Sequence, residues 1–455
     1  WDSIFIKIMS LKRFNLILKN KIQSYSKTIT VDPDKSISIR TFLIGAISQN
    51  ISSAKNILES EDVISTINCL KLLGVKIKKK KIGEYLIFGK GLGSLVAKKN
   101  IQLNFGNSGT LARLIIGILS TTNGIEAKLK GDRSLNKRSM KKLVILMSKF
   151  GASFLPKEKY KFPLKMISTD YPIGIEYKAG VSAQLKSAVI LAGLNSFGNT
   201  IITENEKSRD HTENMLLSSK VIKVKNGGKK IIHVFGKKSL GPVNISVPGD
   251  PSSAAFFTAL TLLNIDSKLT IKNVGLNKTR IGFYEILKKS GAKIYFKNQK
   301  RINNENRGDI IVQYSKIKPI KASKKYYVNS TDEYPILFVI AALTNGVSVF
   351  KGIDDLANKE SNRISEMQKI LKQIGIKTES NNSYLKIYGK GMIDATNKKI
   401  NVDNLGDHRI CMSTFVLSVL TGAHTKIKNF ETVFTSSPSF LKIMKTLGST
   451  FEKQN

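Results

Sequence analysis

Six apolar stretches, each about 12 to 16 residues long and patterned for a helix, recur along the chain, and each opens with a short polar or charged signature. The signatures are DKSISIR (Asp34 to Arg40), GNSGT (Gly106 to Thr110), VSAQLKS (Val181 to Ser187), PGDPSS (Pro248 to Ser253), TDEYP (Thr331 to Pro335) and GDHR (Gly406 to Arg409). They begin roughly 70 to 80 residues apart, the fixed-period self-similarity of a repeat architecture. A helix N-terminus offers free N–H groups and the positive end of the macrodipole. Six such ends brought together predict a strongly anion-seeking cleft.

A second half of the repeat follows the first. In five units another amphipathic helix runs into Gly and then a β-rich segment: LKLLGVKI (Leu70 to Ile77), LMSKFGASF (Leu146 to Phe154), ILKKSGAKIYF (Ile286 to Phe296), ILKQIGIKT (Ile370 to Thr378) and IMKTLGSTF (Ile443 to Phe451). The sixth, MLLSSKVIKV (Met215 to Val224), has Ser219-Lys220 where the others have Gly. Gly just past a helix is the expected left-handed cap, and the Val, Ile and Phe beyond it predict a strand. Each unit therefore reads strand, helix, strand, helix, then more strand.

At 455 residues the chain exceeds one ordinary core, and six units divide most simply into two domains of three. VDPDKS (Val31 to Ser36) and VPGDPS (Val247 to Ser252) resemble one another, each setting turn-forming Pro and Asp between a strand and an apolar helix. Placing the crossings there makes residues 1–35 and 248–455 one discontinuous domain and 36–247 the other. A hinge is expected near 31–36 and 245–251, suited to closure on a ligand. The longest apolar runs, such as Ile336 to Leu343, fall short of the roughly 20 residues that span a bilayer. A soluble, cytoplasmic monomer that does not engage membranes is expected. Met9 opens a plausible start (MSLKRF) behind Trp1, and the basic segment to about Lys27 shows no clear small-residue cleavage site.

The net charge of +41 invites a nucleic-acid reading. Yet Lys is scattered with Ile and Asn over the whole chain, and neither a helix-turn-helix nor an aromatic-plus-basic RNA-binding pattern is evident. The excess is expected to be compositional, giving only sequence-blind, salt-sensitive polyanion binding and no specific nucleic-acid partner. Cys69 and Cys411 lie inside apolar patterns and make no metal or redox spacing, so both are expected as buried thiols. The four histidines, His211, His233, His408 and His424, also fit no ligand motif, and no metal is indicated.

The basic candidates are Lys35, Arg40, Arg138, Arg209, Lys359, Arg363 and Arg409. Taken singly, each would be a solvated surface charge. Lys35, Arg40 and Arg409, however, sit at or within the first turns of signature helices, where bidentate Arg and point-charge Lys suit carboxylate and phosphate. Asp332, Glu333 and Glu360 are the acidic candidates; an isolated Asp at a helix start is ordinarily a cap, but a carboxylate among cations can move a proton. GNSGT and VSAQ supply hydroxyl, amide and backbone donors without forming a Walker phosphate loop.

The ordered set DKSISIR, GNSGT, GDRSLNKRSM, SAQLKSAVILAGL, SRDHTENML, VPGDPSSAAFF, TDEYPIL, KESNRI and DHRI resembles 5-enolpyruvylshikimate-3-phosphate (EPSP) synthases from about residue 28 to 448. SRDHTENML, PGDPSS and TDEYPIL look most like the bacterial branch that includes glyphosate-tolerant members. The resemblance implies a two-domain inside-out α/β barrel fold, each domain built from three βαβαββ repeats. It implies transfer of the enolpyruvyl group of phosphoenolpyruvate to the 5-hydroxyl of shikimate 3-phosphate, on the route to chorismate and the aromatic amino acids. No metal or organic cofactor is implied.

On matching positions the family's shikimate 3-phosphate ligands fall at Lys35, Ser36, Arg40, Ser182, Ala183, Gln184, Asp332 and Lys359. Its phosphoenolpyruvate ligands fall at Lys35, Gly109, Arg138, Gln184, Arg363 and Arg409, with Asn107, Thr110, Arg209 and His408 nearby. Asp332, Glu360 and Lys35 take the catalytic roles, Asp332 accepting the hydroxyl proton and Glu360 protonating the methylene carbon. Glyphosate is implied as a phosphoenolpyruvate mimic, with Ala in tolerant relatives where this chain has Gly109. The chain departs from the family pattern at Pro33, Ile39, Ser139 and Asn362, for which altered loop stiffness and affinity are expected. UDP-N-acetylglucosamine enolpyruvyl transferase is the neighbouring alternative, but neither Cys69 nor Cys411 matches its loop cysteine. A catalytically lapsed anion- or RNA-binding protein would explain the charge but not the joint presence of Lys35, Asp332, Glu360 and Arg409.

Overall fold

The computed structural model describes residues 13–381, 384–403 and 405–454; Trp1 and Met9 lie outside the described residues. The chain divides into a terminal unit (the segment to Asp32, Pro248–Lys300 and Asn306 onward) and a middle unit (Pro33–Val247 with Arg301–Glu305), each with its own hydrophobic core. Two boundaries differ from the sequence reading. Pro33 to Lys35 group with the middle unit, because Asp34 caps and Lys35 opens the first helix there. Arg301–Glu305 also group with it, Glu305 accepting hydrogen bonds from its Asn214 and pairing with its His211.

The six signature stretches form helices: Lys35–Ile47, Gly109–Ser120 and Ala183–Leu194 in the middle unit, and Pro251–Leu263, Tyr334–Ala342 and His408–Thr421 in the terminal unit. Beyond their first turns they are buried almost all round, with Arg113 the partly exposed exception, which is the reason their sequences are apolar on every face. Gly117 allows the Gly109 and Ala183 helices to meet backbone to backbone, since a Cβ there would lie 2.5 Å from the Ala188 carbonyl oxygen. Five of the six signatures supply a side-chain cap: Asp34, Ser108, Ser182, Asp250 and Asp407 accept from backbone N–H groups of the first turn. TDEYP is the exception, and its helix is shorter than expected at 9 residues. Tyr327–Ser330 form a separate helical turn before it, and Pro335 lies in its first turn, where the missing N–H breaks no intrahelical bond.

Each repeat contributes a four-stranded sheet with one pattern: a parallel pair at one edge, then two antiparallel neighbours. In the middle unit, Ile101–Asn104 runs parallel to Glu126–Lys130, which pairs antiparallel with Leu164–Ile167, itself antiparallel to Ser153–Leu155. Two sheets of the terminal unit are completed by N-terminal strands, Asn15–Leu18 and Ser26–Thr30. Asn244–Ser246 closes the first sheet of the middle unit against Ile51–Lys55. Each unit is thus three βαβαββ repeats with apolar helices inside and sheets outside.

The Gly positions after the second helices are all left-handed: Gly74, Gly151, Gly291, Gly375 and Gly448 have φ of +83°, +108°, +94°, +79° and +100°. In the sixth repeat Lys220 adopts φ +54°, so the backbone keeps the cap where the sequence lost the Gly. Cys69 and Cys411 are buried free thiols, and burial pushes the Cys69 thiol up to about 12. Among the described residues no helix is long and apolar enough to cross a membrane.

Candidate functional site

In the middle unit the candidate residues gather around three helix starts. Lys35 Nζ lies 3.0 Å from Asp62. Arg40, one turn further along, is buried; its Nε donates to Thr212 Oγ1 (2.8 Å), Nη1 to the Ser36 carbonyl (3.0 Å) and Nη2 to Ser187 Oγ (3.1 Å). It is bonded inside the unit rather than solvated, as a lone Arg would be expected to be.

Gln184 is held at both ends, its Oε1 accepting from Arg113 Nη1 (2.8 Å) and its Nε2 donating to Thr110 Oγ1 (2.9 Å). Arg138 Nη2 donates to Asn107 Oδ1 (2.8 Å), and Asn107 Nδ2 donates to Asp132 (2.8 Å). Gly109 stands between these groups, for a Cβ there would lie 2.7 Å from Arg113 Nη1 and 3.3 Å from Arg138 Nη1. Ser36, Ser182, Ala183 and Arg209 are partly exposed, with Ser182 spending its hydroxyl on the helix cap. Asp62, Arg113, Ser187 and Thr212 were not singled out from sequence; only their proximity in the fold marks them.

In the terminal unit Arg363 is the centre. It is 1% exposed and surrounded by three carboxylates: Asp407 Oδ2 at 3.0 Å from Nε, Glu360 Oε2 at 2.7 Å from Nη2, and Asp332 Oδ1 at 3.7 Å from Nη1. Burial works against its charge, but Asp407, then Glu360 and Asp332 outweigh burial and hold its pKa above the ordinary value. Asp407, fully buried, also accepts from Ser361 Oγ (2.9 Å) and from the backbone N of Arg409 (3.0 Å), so one carboxylate holds the Arg363 side chain and the start of the Arg409 helix. Glu333 occupies the cap position of the Tyr334–Ala342 helix without a side-chain cap bond, and Asp332 faces Arg363 instead of standing as an isolated acid.

Arg409 is 5% exposed, with its guanidinium 5.8 Å from the centre of the Phe256 ring. Its Nε and Nη1 find no acceptor among the described residues. A buried charge with unmatched donors is costly, so the position suits an anionic ligand. His408, beside it, is buried. Lys359 Nζ is paired with Asp355 at 2.5 Å, and Asp355 also accepts from the Tyr327 hydroxyl (2.9 Å). Burial first, then Asp355 and, more weakly, Asp332 raise the Tyr327 phenol well above its usual range. Two departures have local explanations: Asn362 Oδ1 caps its helix at Ser365 N (3.1 Å), as Asp would, and Ser139 Oγ accepts from Lys141 N (3.3 Å). Ile39 is simply core, at 0% exposed.

A family model described as EPSP synthase (3-phosphoshikimate 1-carboxyvinyltransferase) matches residues 19–444. The chain belongs to that family. A relative named 3-phosphoshikimate 1-carboxyvinyltransferase, from Zymomonas mobilis, is 37% identical over 441 residues, covering 96% of this chain and 97% of its own. The solved EPSP synthase of Acinetobacter baumannii superposes with a TM-score of 0.84 at 34% identity, over 98% of this chain and 100% of that one. The enolpyruvyl transferase NikO of Streptomyces tendae, at 12% identity, covers 97% of this chain and 99% of its own with a TM-score of 0.75 and shares the fold. The architecture of three repeats in each of two units is the enolpyruvyl transferase fold.

Proposed function

We infer that this chain transfers the enolpyruvyl group of phosphoenolpyruvate to the 5-hydroxyl of shikimate 3-phosphate, releasing phosphate, and that its two side-chain sets divide the work. The observation that carries the division is the terminal-unit cluster, where Asp332 and Glu360 flank one buried arginine and Arg409 keeps unmatched donors. Lys35, Ser36, Arg40, Ser182, Ala183 and Gln184 are assigned to shikimate 3-phosphate together with Asp332 and Lys359. Lys35, Gly109, Arg138, Gln184, Arg363 and Arg409 are assigned to phosphoenolpyruvate.

In this reading Asp332 takes the 5-hydroxyl proton as that oxygen attacks C2, and Glu360 gives a proton to the methylene carbon. The product of addition is a tetrahedral intermediate still carrying phosphate. Return of a methyl proton to Glu360, with the proton held by Asp332 passing to the departing phosphate, restores the double bond, now as an enol ether, and resets both carboxylates. The arginines supply fixed positive charge where the carboxylate and phosphate of the substrate sit. An anion brought to Arg363 also competes for the cation beside Glu360, which favours a proton on that carboxyl at the moment one is needed.

Phosphate release is the test. It should require both substrates and survive a metal chelator; release from phosphoenolpyruvate alone, or release that needs an added divalent ion, contradicts the reading.

A further inference from the structure

Four charged side chains that take no part in the reaction lie buried together behind the middle-unit site. Lys186 Nζ is 3.0 Å from Glu204 Oε1 and 2.7 Å from Glu213 Oε1. Lys230 Nζ is 2.8 Å from Glu213 Oε1 and 3.5 Å from Glu204 Oε2. None of the four exceeds 5% exposure. They come from four elements: the Ala183–Leu194 helix, the strands Asn199–Glu204 and Lys230–Phe235, on which Glu204 and Lys230 are directly opposed, and the His211–Leu216 helix.

A neutral quartet of this kind is a poor way to gain stability, because well-packed apolar residues of the same volume generally do as well or better. Its contacts point elsewhere. Glu204 Oε1 accepts from both the backbone N (3.2 Å) and the hydroxyl (2.5 Å) of Ser208, whose carbonyl lies 3.4 Å from Lys186 Nζ, so the backbone leading into Arg209 is clamped. Ser187 and Thr212, each adjacent in sequence to a quartet member, bond to one another at 2.8 Å and hold Nη2 and Nε of Arg40. Lys186 itself is two residues beyond Gln184, on the first turn of that helix.

We propose that the Lys186–Glu204–Lys230–Glu213 quartet is a positioning device for shikimate 3-phosphate, fixing Arg40 through Ser187 and Thr212 and fixing the Ser208–Arg209 backbone through Glu204. The proposal rests on the assignment of Arg40 to that substrate. It requires that loosening the quartet weakens one substrate selectively, which a purely structural role would not do.

The charge-balanced Lys186→Met/Glu213→Gln double variant removes one charge of each sign and leaves the Lys230–Glu204 pair. Calorimetric titration with shikimate 3-phosphate alone should show affinity weakened about tenfold or more, the size expected when a coupled network is broken. Turnover and the KM for phosphoenolpyruvate, measured at saturating shikimate 3-phosphate, should stay within about threefold, that is, under 1 kcal/mol. Lys186→Arg, which keeps the charge but alters reach and geometry, gives a second reading: reduced affinity with an unchanged melting temperature. Wild-type shikimate 3-phosphate affinity in either folded variant, when Arg40→Ala has lost it, overturns the quartet's role. Wild-type affinity in Arg40→Ala overturns instead the substrate assignment on which the proposal stands.

Discussion

Replacing Gly109 with Ala tests the tightest point of the proposed phosphoenolpyruvate site. The new methyl would lie 2.7 Å from Arg113 Nη1 and 3.3 Å from Arg138 Nη1, whereas ordinary carbon contact begins near 3.4 Å. The Arg113 tip must therefore retreat by 3.4 − 2.7 = 0.7 Å. That tip is the flexible end of a side chain, so the fold survives. The retreat stretches the 2.8 Å bond from Arg113 Nη1 to Gln184 Oε1 toward the hydrogen-bond limit and disturbs the amide that also donates to Thr110.

A small overpacking of this kind typically costs about 1 to 3 kcal/mol, or roughly 5- to 150-fold in a binding constant. Glyphosate, read as a mimic of phosphoenolpyruvate among Lys35, Arg138, Arg363 and Arg409, should lose most of that, with an inhibition constant raised about 10- to 100-fold. The KM for phosphoenolpyruvate should rise by less. The assay is a glyphosate titration of both proteins at phosphoenolpyruvate concentrations set to each KM. If the methyl acts through Arg113, its effect on KM should also be non-additive with Arg113→Met in a double-mutant cycle. Equal inhibition constants would show that Gly109 does not set the space at this site.

Glu360→Gln keeps a partner for Arg363 but removes the transferable proton, so turnover should fall by roughly 10² or more while shikimate 3-phosphate still binds; near-normal turnover would remove Glu360 from the mechanism. Asp407→Asn leaves the buried Arg363 with only Glu360 and Asp332, which places the cost near the lower end of a broken buried pair, about 3 kcal/mol, or a melting temperature lowered by roughly 6 to 12 °C. An unchanged melting curve, with an unchanged KM for phosphoenolpyruvate, would mean that Asp407 does not hold Arg363 in place.

The fold was legible because its signals are local and repeated. Apolar residues on every face of six stretches require burial, and Gly after five of the six second helices announces the left-handed turn that Gly74, Gly151, Gly291, Gly375 and Gly448 adopt. Where the local signal failed, the backbone was held by other means, as at Lys220, whose φ is +54° without a Gly. The short TDEYP helix was not foreseen because the apolar run from Ile336 continues to Leu343 while the helix is confined by the turn before it.

Within the site, the helix-start signatures announced themselves as caps, but burial did not. A lone Arg in sequence reads as surface, and Arg40, Arg363 and Arg409 are buried only because Thr212, Ser187, Asp407 and Phe256 arrive from distant segments. The quartet is illegible for the same reason: Lys186, Glu204, Glu213 and Lys230 have no shared spacing, and their opposite charges meet only when strand register and helix packing are fixed.

The central claim is that addition to C2 precedes loss of phosphate, so the bond that breaks joins carbon to oxygen rather than oxygen to phosphorus. Phosphoenolpyruvate carrying ¹⁸O in the bridge between C2 and phosphorus, incubated with shikimate 3-phosphate and the protein, tests this directly by ³¹P NMR of the released phosphate. The account predicts that the phosphate retains the label and appears one for one with the enol ether. Unlabelled phosphate, or labelled phosphate formed without shikimate 3-phosphate, would contradict it.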